Sequence, residues 1–216
     1  MIAVIYTHPP DYLAAVTAAR QWQSIGVRPI LALDAGDPLF FPPGIETVRT
    51  TFRRNGNLNG TSFIREHLRL LRDLSGTDDE WAIKADSDAL CFGLHWLQSR
   101  KEIAVGSWSP AHRGFYGFCY AVRCSVLGAM IAAADNLPDD DAAPEDVTIG
   151  ELADSCGGSF RYEILSPGSP FAAFNWESED PAAAWRGNFE VLAFQRSQGR
   201  GHREVSAKML EFRQTQ

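Results

Sequence analysis

The stretch WAIKADSDALCF, residues 81–92, runs as an apolar strand straight into two aspartates, Asp86 and Asp88. An ionised carboxylate at the end of a buried strand needs a compensating charge or water. If the chain stays extended, the two side chains project to the same side. Two hard oxygen ligands with open positions suit Mg²⁺ or Mn²⁺, cations that also hold a substrate's phosphates. An Asp–Ser–Asp turn capping local backbone accounts for the same three residues. Lys84 lies two residues before Asp86 on the same strand face. There it can pair with the carboxylates or a phosphate, or simply extend to solvent.

PEDVTIG, residues 144–150, is a second candidate. Pro144 suits a first helical position, and Glu145 and Asp146 complement a helix dipole. The same chemistry makes Asp146, or Glu145, a candidate general base that takes the proton of an attacking hydroxyl. RRNGNLNG, residues 53–60, combines flexible turn formers with arginines. Its N–H groups and Arg53 or Arg54 could clamp a diphosphate, although a surface loop with solvated arginines fits as well.

These residues need a scaffold. Residues 2–6 form a continuous apolar run, as expected of a strand buried on both faces. Asp11 can cap a helix through about Ile25 with Leu13, Val16, Ala19 and Trp22 on one face, and RPILALD (28–34) is the next strand. ETVRTTF is a short strand, and a helix capped by Thr61 or Ser62 carries Phe63, Leu68, Leu71 and Leu74. After strand 81–86, IAVGSW and GFYGFCYAV read as strands, with helices at about 125–134 and 145–154. SFRYEIL and FEVLAFQ are late strands separated by a Pro/Gly-rich, aromatic crossing, and 204–213 is a closing helix. The alternation predicts one α/β domain over 1–216, with a mostly parallel central sheet flanked by helices.

The 216 residues are 45% hydrophobic and 22% charged, the balance of a soluble globular chain. A formal charge of −7 argues against nucleic acid as the partner. Four cysteines without C-x-x-C spacing read as reduced core thiols. The N-terminal apolar run is too short for a signal peptide or membrane span, so a cytoplasmic location is expected.

IKADSD, GFYGFCYAV and PEDVTIG, in that order, resemble the β-1,3-galactosyltransferase and Fringe group of glycosyltransferases. The resemblance implies a GT-A-like, nucleotide-diphospho-sugar transferase fold, with residues 1–90 binding nucleotide-sugar and 91–216 on the acceptor side. It implies a UDP-sugar donor, a carbohydrate or glycoconjugate acceptor, a divalent metal and inverting hexosyl transfer. By the same resemblance Asp88 is the direct metal ligand, and Asp86 holds the donor's ribose or the metal through water. Asp146 is the base, Glu145 touches the acceptor, and His202 in GRGHREV is a third metal ligand, although a solvent-facing histidine at a helix start accounts for it as well. Gly117 would let the backbone approach donor or acceptor, or serves as a tight packing glycine; Tyr116, Phe118 and Trp108 could stack on sugar, or are plain core; Arg54 and Asn57 would meet the diphosphate, and Thr7 and His8 the base. Position 87 is serine where that group carries a third acid, and neither the membrane anchor nor the disulfide framework of the group's eukaryotic members is expected here.

Two other readings use the same carboxylates. A sugar-phosphate nucleotidyltransferase also places a carboxylate-bound metal on such a sheet. It wants a Gly-rich basic loop after the first strand, where this chain has YTHPPDYL. A degenerate transferase domain that only binds carbohydrate is the non-catalytic reading.

Overall fold

A computed structural model describes residues 1–52, 60–77, 79–110, 114–175, 189–195 and 202–214, without the side chains of residues 195 and 202–204. Arg53, Arg54 and Asn57 lie outside the described residues.

The apolar run at the N-terminus is β1 (Ile2–Thr7), every residue of which is buried. Parallel neighbours flank it: β2 (Arg28–Leu33) on one side and β4 (Trp81–Asp86) on the other. Strand β3 (Glu46–Arg49) extends the sheet past β2. Beyond β4 come β7 (Cys119–Arg123), β6 (Ala104–Trp108) and β8 (Ser159–Glu163), in the order β3-β2-β1-β4-β7-β6-β8. Among the described residues only β7 runs against the other strands of this sheet, pairing antiparallel with both β4 and β6. A second sheet joins β5 (Ala89–Cys91), β10 (Val191–Gln195) and β9 (Phe171–Asn175). This mixed α/β architecture, with a mostly parallel central sheet, is the one expected from the alternation of elements.

Helices cover both faces. Helices α1 (Tyr12–Ser24) and α5 (His202–Gln214) share one core with Ala3, Ile5, Leu31, Trp81 and Ile83. Helices α2 (Thr61–Leu74), α3 (Leu127–Asp135) and α4 (Glu145–Cys156) share the other with Val4, Tyr6, Ala82, Tyr120 and Val122. The period-2 alternation of strand side chains therefore sends Lys84 and Asp86 to the α2/α4 side, with Ala82.

Several local expectations are revised. Leu13 is 64% exposed, and α1 instead buries Ala14, Ala15, Ala18, Ala19 and Trp22. Small side chains let this helix lie close on the sheet, so the alanines form the stripe. Asp11 precedes α1 without a side-chain cap; its carboxylate faces His8 Nδ1 at 3.1 Å. Gly60, with φ of 100°, precedes α2 in place of a Thr61 or Ser62 cap, and Thr61 Oγ1 accepts the Asp140 N–H at 3.1 Å. Residues 114–118 are not strand: Tyr116 N–H reaches back to the Ser107 carbonyl at 2.7 Å, and regular pairing with β4 begins at Cys119. Strand β9, Phe171–Asn175, lies within the segment read as a Pro/Gly-rich crossing.

Gly114 explains why that segment turns. A Cβ there would fall 2.2 Å from Val147 Cα and 2.9 Å from Val147 N, so the first turn of α4 sits directly on it. Gly114→Ala must push backbone against backbone, and overpacking of this kind costs about 1–3 kcal/mol. A melting temperature lowered by about 2–10 °C in calorimetry is the expected result. An unchanged value would mean the loop and helix separate at no cost.

Candidate active site at the carboxyl edge of the sheet

Four segments converge where β1 and β4 end. Register pairs Tyr6 with Asp86 and Val4 with Lys84 across β1 and β4, and Lys84 with Tyr120 across β4 and β7. Tyr6, Lys84, Asp86 and Tyr120 thus lie side by side on one face, beneath α2 and the start of α4.

Lys84 is the centre of the arrangement. It is 1% exposed, donates to Asp86 Oδ1 at 2.6 Å and also donates to the Gly117 carbonyl. Burial opposes its charge, but the nearby carboxylates of Asp86, Glu145 and Asp146 outweigh that and hold its pKa above the ordinary lysine value. Lys84 is therefore an interior counter-ion, and the reading of a lysine extended into solvent is set aside.

The two motifs meet across Gly117. Its carbonyl takes the Lys84 ammonium, and a Cβ on it would lie 3.1 Å from Asp146 Oδ2. Any side chain at 117 would press on the Asp146 carboxylate, which is the reason a glycine serves here. Asp146 is part-exposed at the head of α4, its Oδ1 accepting the Val147 N–H at 2.8 Å. Pro144 stands just outside the helix, so Glu145 and Asp146 are its first two residues. Residues distant in sequence are thus brought into one electrostatic cluster.

Asp86 and Asp88 are separated by a turn at residues 87–88, so the extended geometry that would align their side chains is not what the chain adopts. Ser87 is buried, and the Asp88 carbonyl accepts the Phe194 N–H at 3.0 Å, anchoring the turn to the second sheet. Asp86 is 38% exposed and Asp88 is part-buried, so both carboxylates remain near the surface. Among the described residues no three His, Cys, Asp or Glu side chains are arranged to hold a metal ion. Carboxylates near the surface are the donor type that hard cations take together with water and phosphate oxygens. His202 opens α5, and its side chain lies outside the described residues.

Glu145 points inward. It is 3% exposed, and the Tyr120 hydroxyl donates to its Oε1. Burial raises its pKa to about 7 even though Lys84 and Tyr120 pull it down. His67, fully buried on α2, bonds Tyr6 through Nδ1 at 2.6 Å and Tyr120 through Nε2 at 2.8 Å. Burial, assisted by Lys84, lowers its pKa to about 3. No sequence motif singles out His67, Tyr6 or Tyr120 as functional; a histidine on an apolar helix face is the available signal.

These two shifts have opposite signs in pH. An unfolded chain loses the Glu145 proton near the ordinary 4.5, whereas the folded protein keeps it to about 7. The stabilisation from this group is complete below about 4.5 and is lost as pH rises through 7. For His67 the stabilisation is present above 6.5 and is lost as pH falls through about 3. Between 4.5 and 6.5 the unfolded chain carries a proton on His67 and the folded protein one on Glu145, so the pair adds little slope. Glu145→Gln removes one half. Its stability relative to the parent protein should rise between pH 4.5 and 7, by up to about 3 kcal/mol in urea unfolding. A pH-independent difference would refute the placement of that proton.

Thr7 ends β1 and His8 follows it, at the same edge as Asp86. The Thr7 hydroxyl is buried and has no hydrogen-bond partner among the described residues. His8 is 38% exposed. Tyr116 and Phe118 pack edge to face at 5.7 Å, and Phe118 is 4% exposed, which makes it core and not a sugar platform. All four cysteines are free thiols, Cys91 and Cys119 fully buried, where burial pushes both thiols up. No helix among the described residues is long and apolar enough to cross a membrane.

A mostly parallel, helix-covered sheet with acidic residues at its carboxyl edge is the GT-A glycosyltransferase architecture. Solved glycosyltransferases share it. The galactosyltransferase LgtC, solved with donor and acceptor sugar analogs, superposes with a TM-score of 0.55 at 13% identity, covering 100% of this chain and 96% of that one. The apo form of GlyE from Streptococcus pneumoniae TIGR4 gives 0.54 at 13% identity over 98% of this chain, which spans 59% of GlyE. A glycosyltransferase involved in glycosylation of the major capsid of PBCV-1 gives 0.54 at 11% identity, covering 97% and 98%. No protein-family model matches the sequence. No curated protein matches it either.

Proposed function

We propose that the protein transfers a sugar from a nucleotide-sugar donor to an acceptor hydroxyl. The observation that carries this reading is the meeting of Asp86 and Asp146 around Lys84 and Gly117, at the ligand-binding edge of a glycosyltransferase fold. The motif resemblance to the β-1,3-galactosyltransferase and Fringe group supports UDP as the nucleotide, a hexose as the sugar and inversion at its anomeric carbon.

In this scheme the bond between the sugar C1 and the diphosphate oxygen breaks with its electron pair going to the diphosphate. The acceptor oxygen bonds to C1 from the opposite face and gives its proton to Asp146, which is exposed enough to meet it. Asp86 and Asp88 would hold a Mg²⁺ or Mn²⁺ ion, which offsets charge on the departing diphosphate. Lys84 keeps Asp86 in place from below and tempers repulsion among the carboxylates. Thr7 and His8 border the position of the nucleotide. Glu145, being interior, acts by holding the start of α4 and not by touching the acceptor.

A thermal-shift panel of nucleotide sugars with and without Mn²⁺ tests the reading. A donor at a hundredfold excess over its Kd stabilises by about 2.7 kcal/mol, roughly 5–10 °C for a chain of this size. Asp86→Ala should abolish the part of that shift that needs the cation. If no nucleotide sugar stabilises the protein, or Asp86→Ala leaves the cation-dependent shift intact, the reading fails. Release of pyrophosphate from a nucleoside triphosphate and a sugar phosphate would instead indicate nucleotidyl transfer.

A further inference from the structure

Behind the carboxylate cluster lies a buried row of polar groups that the transfer chemistry leaves unused. Tyr6 on β1, His67 on α2, Tyr120 on β7 and Glu145 on α4 are 1%, 0%, 0% and 3% exposed. They form a continuous chain of hydrogen bonds, Tyr6 to His67 at 2.6 Å, His67 to Tyr120 at 2.8 Å and Tyr120 to Glu145. The row spans four elements and ends one residue before the proposed base.

The direction of donation follows from charge. His67 is held neutral by its burial, so one ring nitrogen donates and the other accepts. With Glu145 ionised, Tyr120 donates to the carboxylate and its oxygen accepts from His67 Nε2–H. Nδ1 is then bare and accepts the Tyr6 hydroxyl. If Glu145 gains a proton, each bond reverses and every one survives, because a protonated carboxyl donates to the Tyr120 oxygen. The row therefore holds the Glu145 side chain in either state. Packing fixes its members as well: the His67 ring stacks on Phe63 at 5.8 Å, and the Tyr120 ring on Phe115 at 5.5 Å.

Helix α4 is otherwise held at this end by backbone and local contacts, the Phe115 N–H donating to the Asp146 carbonyl at 3.3 Å and the Thr148 hydroxyl to the Pro144 carbonyl at 2.8 Å. Its first residue has no side-chain cap before it, and Gly114 beneath Val147 supplies no side chain. We propose that Tyr6, His67 and Tyr120 are positioning residues that, through Glu145, hold the first turn of α4 so that Asp146 stays against Gly117. Catalytically this rests on the sugar-transfer reading; structurally it stands alone.

Tyr120→Phe tests it, since the ring remains and only the hydroxyl is lost. With a UDP-sugar as donor, kcat should fall tenfold or more while donor KM changes less than threefold, because the donor is gripped at Asp86 and the base is set by α4. In the Asp146→Asn background the same change should have no further effect on kcat, as it acts through that carboxylate. Hydrogen exchange of the amides of residues 147–149 should speed up at least tenfold, with those in α3 unchanged. Additive losses in the double variant, or unchanged exchange in α4, would overturn the proposal. If the parent protein turns over no nucleotide sugar, the sugar-transfer reading falls and the exchange experiment alone decides this one. Should Tyr120→Phe not fold, Tyr6→Phe carries the same measurements, with smaller effects in the same direction.

Discussion

Asp146→Asn is expected to lower the transfer rate by about 10²–10⁴-fold, the usual contribution of a positioned base, while donor affinity stays within about threefold. The amide keeps the shape of the carboxylate and its approach to Gly117, but it cannot take the acceptor's proton. The asymmetry between rate and binding is the diagnostic part. Steady-state kinetics with a UDP-sugar, set beside calorimetric titration of the donor, separates the two. Full turnover in this variant would remove Asp146 from the chemistry, and equal losses in binding and rate would make it a donor ligand.

Lys84→Met carries the largest expected effect on stability. Methionine fills nearly the same volume as lysine, so packing on β4 changes little. The lost charge leaves Glu145 buried at 3% exposure and Asp86 beside it without their shared cation. Removing one partner of a buried ionic group typically costs about 3–5 kcal/mol, a large share of the roughly 5–15 kcal/mol that holds a domain together. Urea unfolding should show a midpoint shifted far to lower denaturant with an unchanged slope. Because Glu145 can take up a proton, the loss should be smaller at pH 5 than at pH 8, and a loss of equal size at both would contradict the pairing.

Much of the scaffold was readable because its signals are local. IAVIY, RPILAL and WAIKAD are apolar runs bounded by turn residues, and each became a strand of the main sheet within a residue or two. PEDVTIG carried both its helix start and its acidic residues in a single stretch, and α4 begins at Glu145 as expected. What was hidden depends on contacts across the sheet. GFYGF alternates like a strand, yet Gly114 and Gly117 serve close approach to α4, and nothing within five residues reveals that. FAAFN lies among prolines and glycines whose turn signals mask a short strand. Asp-Ser-Asp fits extended chain and turn equally well by composition. The interior row was invisible for a related reason: Tyr6 and Tyr120 sit in apolar strands and His67 on an apolar helix face, so each looks like core until the other two are placed.

Lys84 also says something about how this chain is made. Its ammonium belongs to the central β4, yet two of its counter-charges, Glu145 and Asp146, arrive only with a helix synthesised much later. A nascent chain emerging from the ribosome with β1, β2 and β4 already complete would have to bury that positive charge with Asp86 alone of its three acids in place. The early half should therefore wait, loosely collapsed, until the later half delivers its acids, and the molecule matures in one cooperative step instead of segment by segment.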